Sequence, residues 1–151
     1  MLLLNIGCGQ QYMPGAYNWD NSTQTKTDAI VDVRKDRFPA NDNFFDEIFS
    51  GNLFGEVVGN DEFVHCMNEC WRVLKPGGIM TVRVPNAMYS VTFLDPFEGR
   101  HFIPATFDYF DFDKIHYQRF GFVYGFKPWE VLGITENKTH ILEVKMKKHD
   151  A

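Results

Sequence analysis

The chain has 151 residues, which is enough for one domain with a single substantial core. Its formal net charge of −5 argues against a broadly basic surface for nucleic acid or anionic membrane. No run of about twenty apolar residues is present, so the sequence predicts no membrane span. The three cysteines lack the spacing of a disulfide framework, which favours a reducing, cytoplasmic setting.

An apolar run at the beginning of the chain ends in two glycines. Leu2 to Ile6 lead into Gly7-Cys8-Gly9, which is how a buried parallel strand ends when its exit loop passes close to a ligand. Glycine permits a positive φ and lacks the Cβ that would hold a ligand away from the backbone. Glycines with this spacing also occur in ordinary turns, so the stretch alone leaves a binding loop and a plain turn open.

Two further predicted strands carry an acidic residue at or next to their carboxyl end, Asp20 and Asp32. Ala16 to Asp20 and Asp28 to Val33 have strand composition, and the connection from Gly9 to Ala16 is too short for a full crossover helix. An acid at the end of such a strand can accept hydrogen bonds from a ribose diol. For Asp20 the alternative is that it caps the turn that follows.

A strand, a helix and another strand come next. Phe44 to Ser50 is predicted as a strand that leads into Gly51-Asn52, and Asn60 opens a helix with acids in its first turn. The run Lys75-Pro76-Gly77-Gly78 ends this helix, and Ile79 to Val84 is predicted as the next strand.

The same helix carries residue types that can bind zinc, namely His65, Cys66, Glu69 and Cys70. Its apolar residues recur at helical spacing, which is typical of a helix that packs on a core. A zinc site would need a fuller set of ligands. We therefore favour a core helix and predict no metal site.

The second half of the chain is irregular and rich in phenylalanine. Phe107 to Phe110 is predicted as a short helix. Phe122 to Ile134 and Thr139 to Lys147 flank a polar turn, and this pattern predicts a hairpin at the sheet edge.

These motifs together resemble a class I S-adenosylmethionine-dependent methyltransferase. The matching stretches are Leu4 to Gly9, Asn18-Trp19-Asp20, Phe45 to Ile48, and Arg72-Val73-Leu74-Lys75-Pro76-Gly77-Gly78 leading into Val84-Pro85-Asn86. The resemblance implies an α/β fold with a Rossmann-like sheet of seven strands. That sheet would be mostly parallel, with an antiparallel C-terminal hairpin strand and reduced helices.

The later residues resemble a compact bacterial and phage subgroup of that family, often found near glycan-modifying genes. They are Asp95-Pro96, His101, Pro104 and Thr106 to Tyr109. We expect a single domain over residues 1–151. Within it, residues 1–86 would bind the cofactor, residues 87–126 would form a substrate lid, and residues 127–148 would form the edge hairpin.

The resemblance also implies roles for individual residues toward S-adenosylmethionine. Gly7 and Gly9 would let backbone amides approach the methionine portion, and Asp20 would hold the ribose hydroxyls. Asn5 and Cys8 would also belong to the cofactor-binding residues. Asp32 would accept from the adenine amine, with the backbone amide of Val33 beside it. The floor beneath the reactive methyl would be formed by Gly51, Asn52 and Leu53.

Two departures from the family pattern stand out. The subgroup usually shows His-Val-Leu-Glu-His after the fourth strand, where this chain has Asn52-Leu53-Phe54-Gly55-Glu56. Asn5 also stands where many members have aspartate. Cofactor binding through the first three strands is compatible with these changes. The roles that side chains after the fourth strand have in the subgroup are not expected to carry over unchanged.

The expected acceptor is a small molecule or a saccharide-like compound, and the oligomeric state is not predicted. An acceptor hydroxyl would benefit from a base, for which His101 is the first candidate and Asp95 the second. The alternative for His101, which the sequence slightly favours, is an ordinary histidine in a surface loop. The alternative function is an inactive cofactor-binding module that acts as a sensor or partner subunit. A nicotinamide enzyme is less favoured, because Tyr12 stands where a third glycine would be expected.

Overall fold

A seven-stranded sheet forms the centre of the computed structural model, which describes residues 1–150. The strands are β1 Leu3–Ile6, β2 Tyr17–Asp20, β3 Ala29–Ile30, β4 Phe45–Gly51, β5 Leu74–Pro85, β6 Trp129–Glu136 and β7 Ile141–Lys148. Their order across the sheet is β3-β2-β1-β4-β5-β7-β6. β1 to β5 pair in parallel, whereas β7 is antiparallel to both of its neighbours. The predicted Rossmann-like sheet is confirmed.

Helices are few, as the sequence predicts. The longest is α1, Asn60–Val73, and the others are 3₁₀ turns at Phe54–Glu56, Ser90–Phe93 and Pro104–Tyr109, a π-helical turn at Tyr117–Gly121 and a single α-helical turn at Phe122–Tyr124. Phe63, Met67 and Cys70 of α1 are buried, which agrees with a core helix. Within residues 1–150, no group of three or more metal-ligating side chains is placed to hold a metal ion. Among the same residues no helix is both long and apolar enough to cross a membrane.

Three boundaries differ from the sequence prediction. The hairpin begins at Trp129 and not at Phe122, because residues 122–124 form a helical turn that ends at Gly125, where φ is 100°. β3 has only two residues, Ala29 and Ile30, where the sequence predicted a strand from Asp28 to Val33. β5 begins at Leu74, and its register shifts before Ile79 because the Pro-Gly-Gly stretch bulges out of the ladder.

One face of the sheet carries the core. On β5 and β7 the buried residues alternate with exposed or half-buried ones. Met80, Val82, Leu142 and Val144 are buried on the face that α1 covers. The opposite face is polar there and carries an ion pair between Arg83 Nη2 and Glu143 Oε1 at 2.9 Å. The fold therefore has two layers over β4, β5 and β7, with one side of the sheet facing solvent.

Over β1 and β2, that opposite face is covered by the loop of residues 10–16. Asn5 and Asn18 pair across the two strands and are buried beneath this loop. Asn5 Nδ2 donates to Asn18 Oδ1 at 2.9 Å and to the carbonyl of Gln11 at 2.7 Å. Asn18 bonds both the N–H and the carbonyl of Met13. The sequence predicted that no full crossover helix would connect β1 to β2. The structure has a loop there, and hydrogen bonds from two side-chain amides hold it in place.

The phenylalanines of the second half pack mainly against α1. Phe63 of α1 lies 5.7–6.1 Å, ring centroid to ring centroid, from four other rings, which belong to Phe54, Phe102, Phe110 and Phe126. The face that lacks a crossover helix is the one covered by residues 10–16. The amide-bonded loop already occupies that face, so the rings fill the layer on the other side.

Gly121 offers a test of this packing. A Cβ at Gly121 would overlap the carbonyl oxygen of Tyr109, a backbone atom that cannot turn away. We expect Gly121→Ala to lower the free energy of unfolding in urea by about 1–3 kcal/mol. Gly133→Ala in β6 is the matched control, because a Cβ there would meet no atom within 4 Å. The control should leave stability unchanged or slightly raised, and an equal loss in both variants would contradict this account of the packing.

Candidate functional site

A cavity of about 680 Å³ opens at the carboxyl ends of the parallel strands. Its wall is built by the segments that follow β1, β2, β3 and β4, together with two residues from beyond β5, Asp95 and Phe97. In an open α/β sheet this is where ligands bind, at the point where the strand order reverses between β1 and β4. The cavity volume is in the range of small-molecule and cofactor sites.

The glycine loop lines this cavity in the conformation that its sequence predicts. Gly7 and Gly9 have φ values of 64° and 51°, which disfavour any residue with a Cβ. A Cβ at Gly9 would meet no protein atom within 4 Å, so the backbone is open to a ligand at this point. Leu53, from the loop after β4, packs against Gly7 so closely that a Cβ on Gly7 would lie 2.9 Å from it.

Asp20 links the end of β2 to the glycine loop. Its Oδ2 accepts from the Gly9 N–H at 2.8 Å, and its Oδ1 accepts from the Ser22 N–H at 2.9 Å. The turn-capping alternative is therefore realised, but it does not exclude ligand binding. Each carboxylate oxygen can accept a further hydrogen bond, and Asp20 lies in the cavity wall.

Asp32 and Val33 also lie in the wall, after β3. The Asp32 carboxylate is held by Arg34, whose Nε and Nη2 donate to it at 3.0 and 2.9 Å. This guanidinium keeps the pKa of Asp32 below its usual value. Arg34 lies in the cavity wall as well, so its charge is neutralised where a ligand would enter.

The loop after β4 contributes Gly51, Asn52 and Leu53 to the cavity. Asn52 has a φ of 61°, a left-handed conformation that asparagine tolerates better than most residues. Its N–H donates to the carbonyl of Arg83 at 2.8 Å, which fixes the loop to β5.

The structure places nine of the ten predicted cofactor residues on the cavity wall and excludes Asn5. The Asn5 side chain lies below the loop, in the amide pair with Asn18. Its expected contact with the cofactor is therefore not supported, and its side chain instead fixes the loop above it.

A group of three carboxyls lies at one end of the cavity and consists of Glu56, Asp95 and Glu98. Glu56 and Asp95 both line the cavity wall. Partial burial and the Asp95 carboxyl raise the pKa of Glu56. Burial, followed by the charges of Asp95 and Glu56, raises the pKa of Glu98 to about 7.

Glu98 lies over Gly55, where a Cβ would collide with its carboxylate. The next two residues, Gly99 and Arg100, both donate their N–H to the carbonyl of Gly55 at 2.9 Å. The Arg100 guanidinium continues this contact by donating to the carbonyls of Val57 and Val58. The segment after β5 is thereby attached to the loop after β4.

His101 does not lie in the wall of this cavity. Its Nδ1 is 2.9 Å from Thr92 Oγ1, beside the end of β5, and the residue lines a second cavity of about 500 Å³ between α1 and residues 100–126. Asp95, the second candidate base, does line the first cavity. This placement does not support His101 as a base in the same site as the glycine loop.

Several wall residues were not predicted as site residues. They are Gln10, Gln11, Asn21, Val31, Arg34, Glu56, Val57, Val58 and Phe97. Gln10, Gln11 and Asn21 adjoin the predicted glycine loop and Asp20, so proximity in sequence could have suggested them. Phe97 comes from a distant segment and carries no local signal.

The chain belongs to the methyltransferase domain family, whose sequence model matches residues 4–82, just over half of the chain. The chain is thus a methyltransferase, and membership implies S-adenosylmethionine as its cofactor. The resemblance predicted from the sequence is confirmed at this level. No curated protein matches the chain significantly.

Solved structures with the same fold share little sequence with the chain. A chain from the complex between the Haloferax volcanii Trm112 methyltransferase activator and a methyltransferase is 14% identical, with coverage of 99% of this chain and 83% of that one and a TM-score of 0.67. An S-adenosylmethionine-dependent methyltransferase from Clostridium acetobutylicum is 12% identical, covering 98% and 84%, with a TM-score of 0.68. The cyclase SpnF is 14% identical, covering 99% and 74%, with a TM-score of 0.65. At this identity the likeness concerns the fold alone.

Glu98 generates a prediction about stability. Because its pKa is raised in the folded protein from 4.5 to about 7, the folded state binds a proton that the unfolded state has released in that interval. We expect its contribution to stability to be complete below about pH 4.5 and to disappear as the pH rises through about 7. The loss should be on the order of 1 kcal/mol once solvent screening is allowed for.

The measurement is urea unfolding at pH 5 and pH 8 of the wild type and Glu98→Gln. The variant should lose less stability than the wild type between the two values. Glu62→Gln changes an exposed carboxyl in the first turn of α1 and should behave as the wild type. An identical pH dependence in Glu98→Gln and the wild type would contradict the assignment.

Proposed function

We propose that the cavity binds S-adenosylmethionine and that the chain transfers the methyl group to a hydroxyl of a small-molecule or saccharide-like acceptor. One observation carries this proposal: the glycine loop, Asp20 and two carboxyls, Glu56 and Asp95, line the same cavity. The cavity's size and its open backbone at Gly9 fit a nucleoside-containing cofactor.

In this proposal each segment of the wall holds one part of the cofactor. The Gly7-Cys8-Gly9 backbone lies along the methionine portion, and Asp20 accepts from the ribose hydroxyls through its remaining lone pairs. Asp32 and the Val33 amide contact the adenine, for which Asp32 uses the acceptor capacity that Arg34 leaves free. Gly51, Asn52 and Leu53 lie beneath the reacting carbon.

The cofactor supplies an already activated methyl group, so the protein's main tasks are positioning and proton removal. We assign proton removal to the Asp95–Glu56 pair. As the acceptor oxygen attacks, its proton passes to the ionised member of this pair. The raised pKa of Glu56 suits this carboxyl to accept a proton.

The finer classification and setting are proposals as well. The compact bacterial and phage subgroup is supported by the residues from Asp95 to Tyr109, and Pro104–Tyr109 forms a 3₁₀ turn. A saccharide-like acceptor agrees with hydroxyl-binding groups at the wall, namely Asn52, Glu56 and Asp95. Cys8, Cys66 and Cys70 are free thiols in this structure, which supports a reducing, cytoplasmic setting.

A second candidate is a module that binds the cofactor without transferring its methyl group. The altered sequence after β4 favours it, because Asn52, Gly55 and Glu56 replace residues usual in the subgroup. Cofactor binding without turnover on any acceptor would support this alternative.

Asp20 is the residue on which we expect cofactor affinity to depend most. Asp20→Ala should weaken S-adenosylhomocysteine binding by about 1.5–3 kcal/mol, measured by calorimetry, because hydrogen bonds to a charged group are lost. Asp20→Asn keeps an oxygen that can accept from Gly9 and should lose less. Asp113→Ala, a change at an exposed carboxyl outside the cavity, should bind as the wild type. Unchanged affinity in Asp20→Ala, with an intact circular dichroism spectrum, would place the site elsewhere.

The proton-removal assignment is tested by turnover. Asp95→Asn should lower kcat by about 10²-fold, the usual contribution of a general base, with the release of S-adenosylhomocysteine measured over a panel of hydroxyl-bearing acceptors. It should also move the acid limb of the rate–pH profile to lower pH, because removing the Asp95 carboxyl removes a cause of the raised pKa of Glu56. His101→Asn is the control and should change kcat little. A larger loss in His101→Asn than in Asp95→Asn would reverse the assignment.

A further inference from the structure

An unusually apolar surface adjoins the cofactor cavity. It belongs to residues 88–97, which follow β5 and are called here the rim segment. Four large apolar side chains of the rim segment are mostly exposed: Met88 at 73%, Phe93 at 71%, Leu94 at 81% and Phe97 at 79%. Single exposed apolar residues are common on proteins, but four within ten residues form a patch that calls for a ligand or partner.

The rim segment is held in place from below. Thr92 is buried, and its hydroxyl bonds His101 Nδ1 at 2.9 Å. Tyr89 stacks on the His140 ring with centroids 3.6 Å apart. Asp95 Oδ1 accepts from the Phe97 N–H at 2.9 Å, which shapes the turn at the tip. The apolar side chains are therefore presented outward by an anchored segment.

The patch meets the cavity at Phe97. Phe97 and Asp95 both line the cavity wall, and Phe93 and Leu94 directly precede Asp95. A molecule whose reacting hydroxyl lies beside Asp95 and Glu56 would therefore extend over the rings and aliphatic chains of the rim segment. This continuity favours the methyl acceptor as the occupant over a partner that would dock from outside.

We propose that the methyl acceptor is an amphiphile, with a hydroxyl-bearing head beside Asp95 and an apolar portion that lies on Phe93, Leu94 and Phe97. This inference rests on the proposed function and narrows its substrate class. A plain sugar would leave the rim segment uncovered, whereas an acceptor with a hydrocarbon or aromatic portion would bury it. That burial supplies binding in proportion to the apolar area removed from water.

The test uses a neutral fluorescent probe, N-phenyl-1-naphthylamine, and two glucosides that differ only in chain length. Octyl β-D-glucoside, kept below its micelle-forming concentration, should displace the probe from the wild type in the presence of S-adenosylhomocysteine. Methyl β-D-glucoside should not displace it at the same concentration. In Phe93→Ser/Leu94→Ser, the affinity for the octyl compound should fall by about tenfold, since two partly buried apolar side chains are lost.

The chain offers a matched control in Phe122→Ser/Val123→Ser. These residues are 67% and 71% exposed and line neither cavity, so the affinity for the octyl compound should be unchanged. Calorimetry with S-adenosylhomocysteine distinguishes a failure of the amphiphile inference from a failure of the proposed function. If all three proteins bind it equally but the octyl compound has no advantage, the amphiphile inference alone fails. If none of them binds it, the proposed function itself fails.

Other outcomes would also overturn the inference. An equal loss of affinity in both double variants would mean that the compound binds to exposed apolar surface in general. Sedimentation with phosphatidylcholine vesicles that is lost only in Phe93→Ser/Leu94→Ser would make the rim segment a membrane-binding surface. A dimer in size-exclusion chromatography that only this variant dissociates would make it a contact between two copies of the chain.

Discussion

The hydrogen-bonded pair of Asn5 and Asn18 is the constraint on which the cofactor half of the structure depends. Two amides buried in the sheet are costly unless each polar atom finds a partner. Their partners are each other and the backbone of the loop above, at Gln11 and Met13. The loop must therefore follow one path, which brings Gly9 to the Asp20 carboxylate. A short loop thus takes the place that a crossover helix has in an ordinary βαβ unit. Because the Asn5 amide holds this loop, its side chain is buried and absent from the cavity wall.

The unusual sequence after β4 has a structural explanation in the segment after β5. Gly55 provides the space in which the Glu98 carboxylate lies, and its carbonyl receives the N–H groups of Gly99 and Arg100. A larger residue at position 55 would displace this contact. The subgroup has a glutamate at this place in the sequence, and here a carboxylate reaches the same place from a different element. The glycine at position 55 is therefore explained by the way the rim segment attaches to the loop after β4. This change does not by itself indicate that the site has lost its activity.

The features that could be predicted from the sequence are those that depend on a few neighbouring residues. The glycine loop, Asp20 and Asp32 follow from residues whose backbone preference or position at a strand end is decided within a few neighbours. The position of His101 could not be predicted, because it depends on how Thr92 and Arg100 attach their segment to the rest of the fold. The strand predicted from Phe122 failed for a related reason. Its β-forming composition is overridden by packing around Gly121 and by the left-handed Gly125.

The position of β7 has a consequence for the making of this protein. β7 is inserted between β5 and β6, and the Lys148 ammonium at its end bonds the carbonyl of Leu74 and the side chain of Asn43. Neither β5 nor β6 can complete its hydrogen bonding until residue 148 has left the ribosome. A nascent chain that already contains β5 therefore carries an open sheet edge there until β7 has been made. Such edges invite pairing with other chains, so the chain is most exposed to aggregation between the formation of β5 and the arrival of β7.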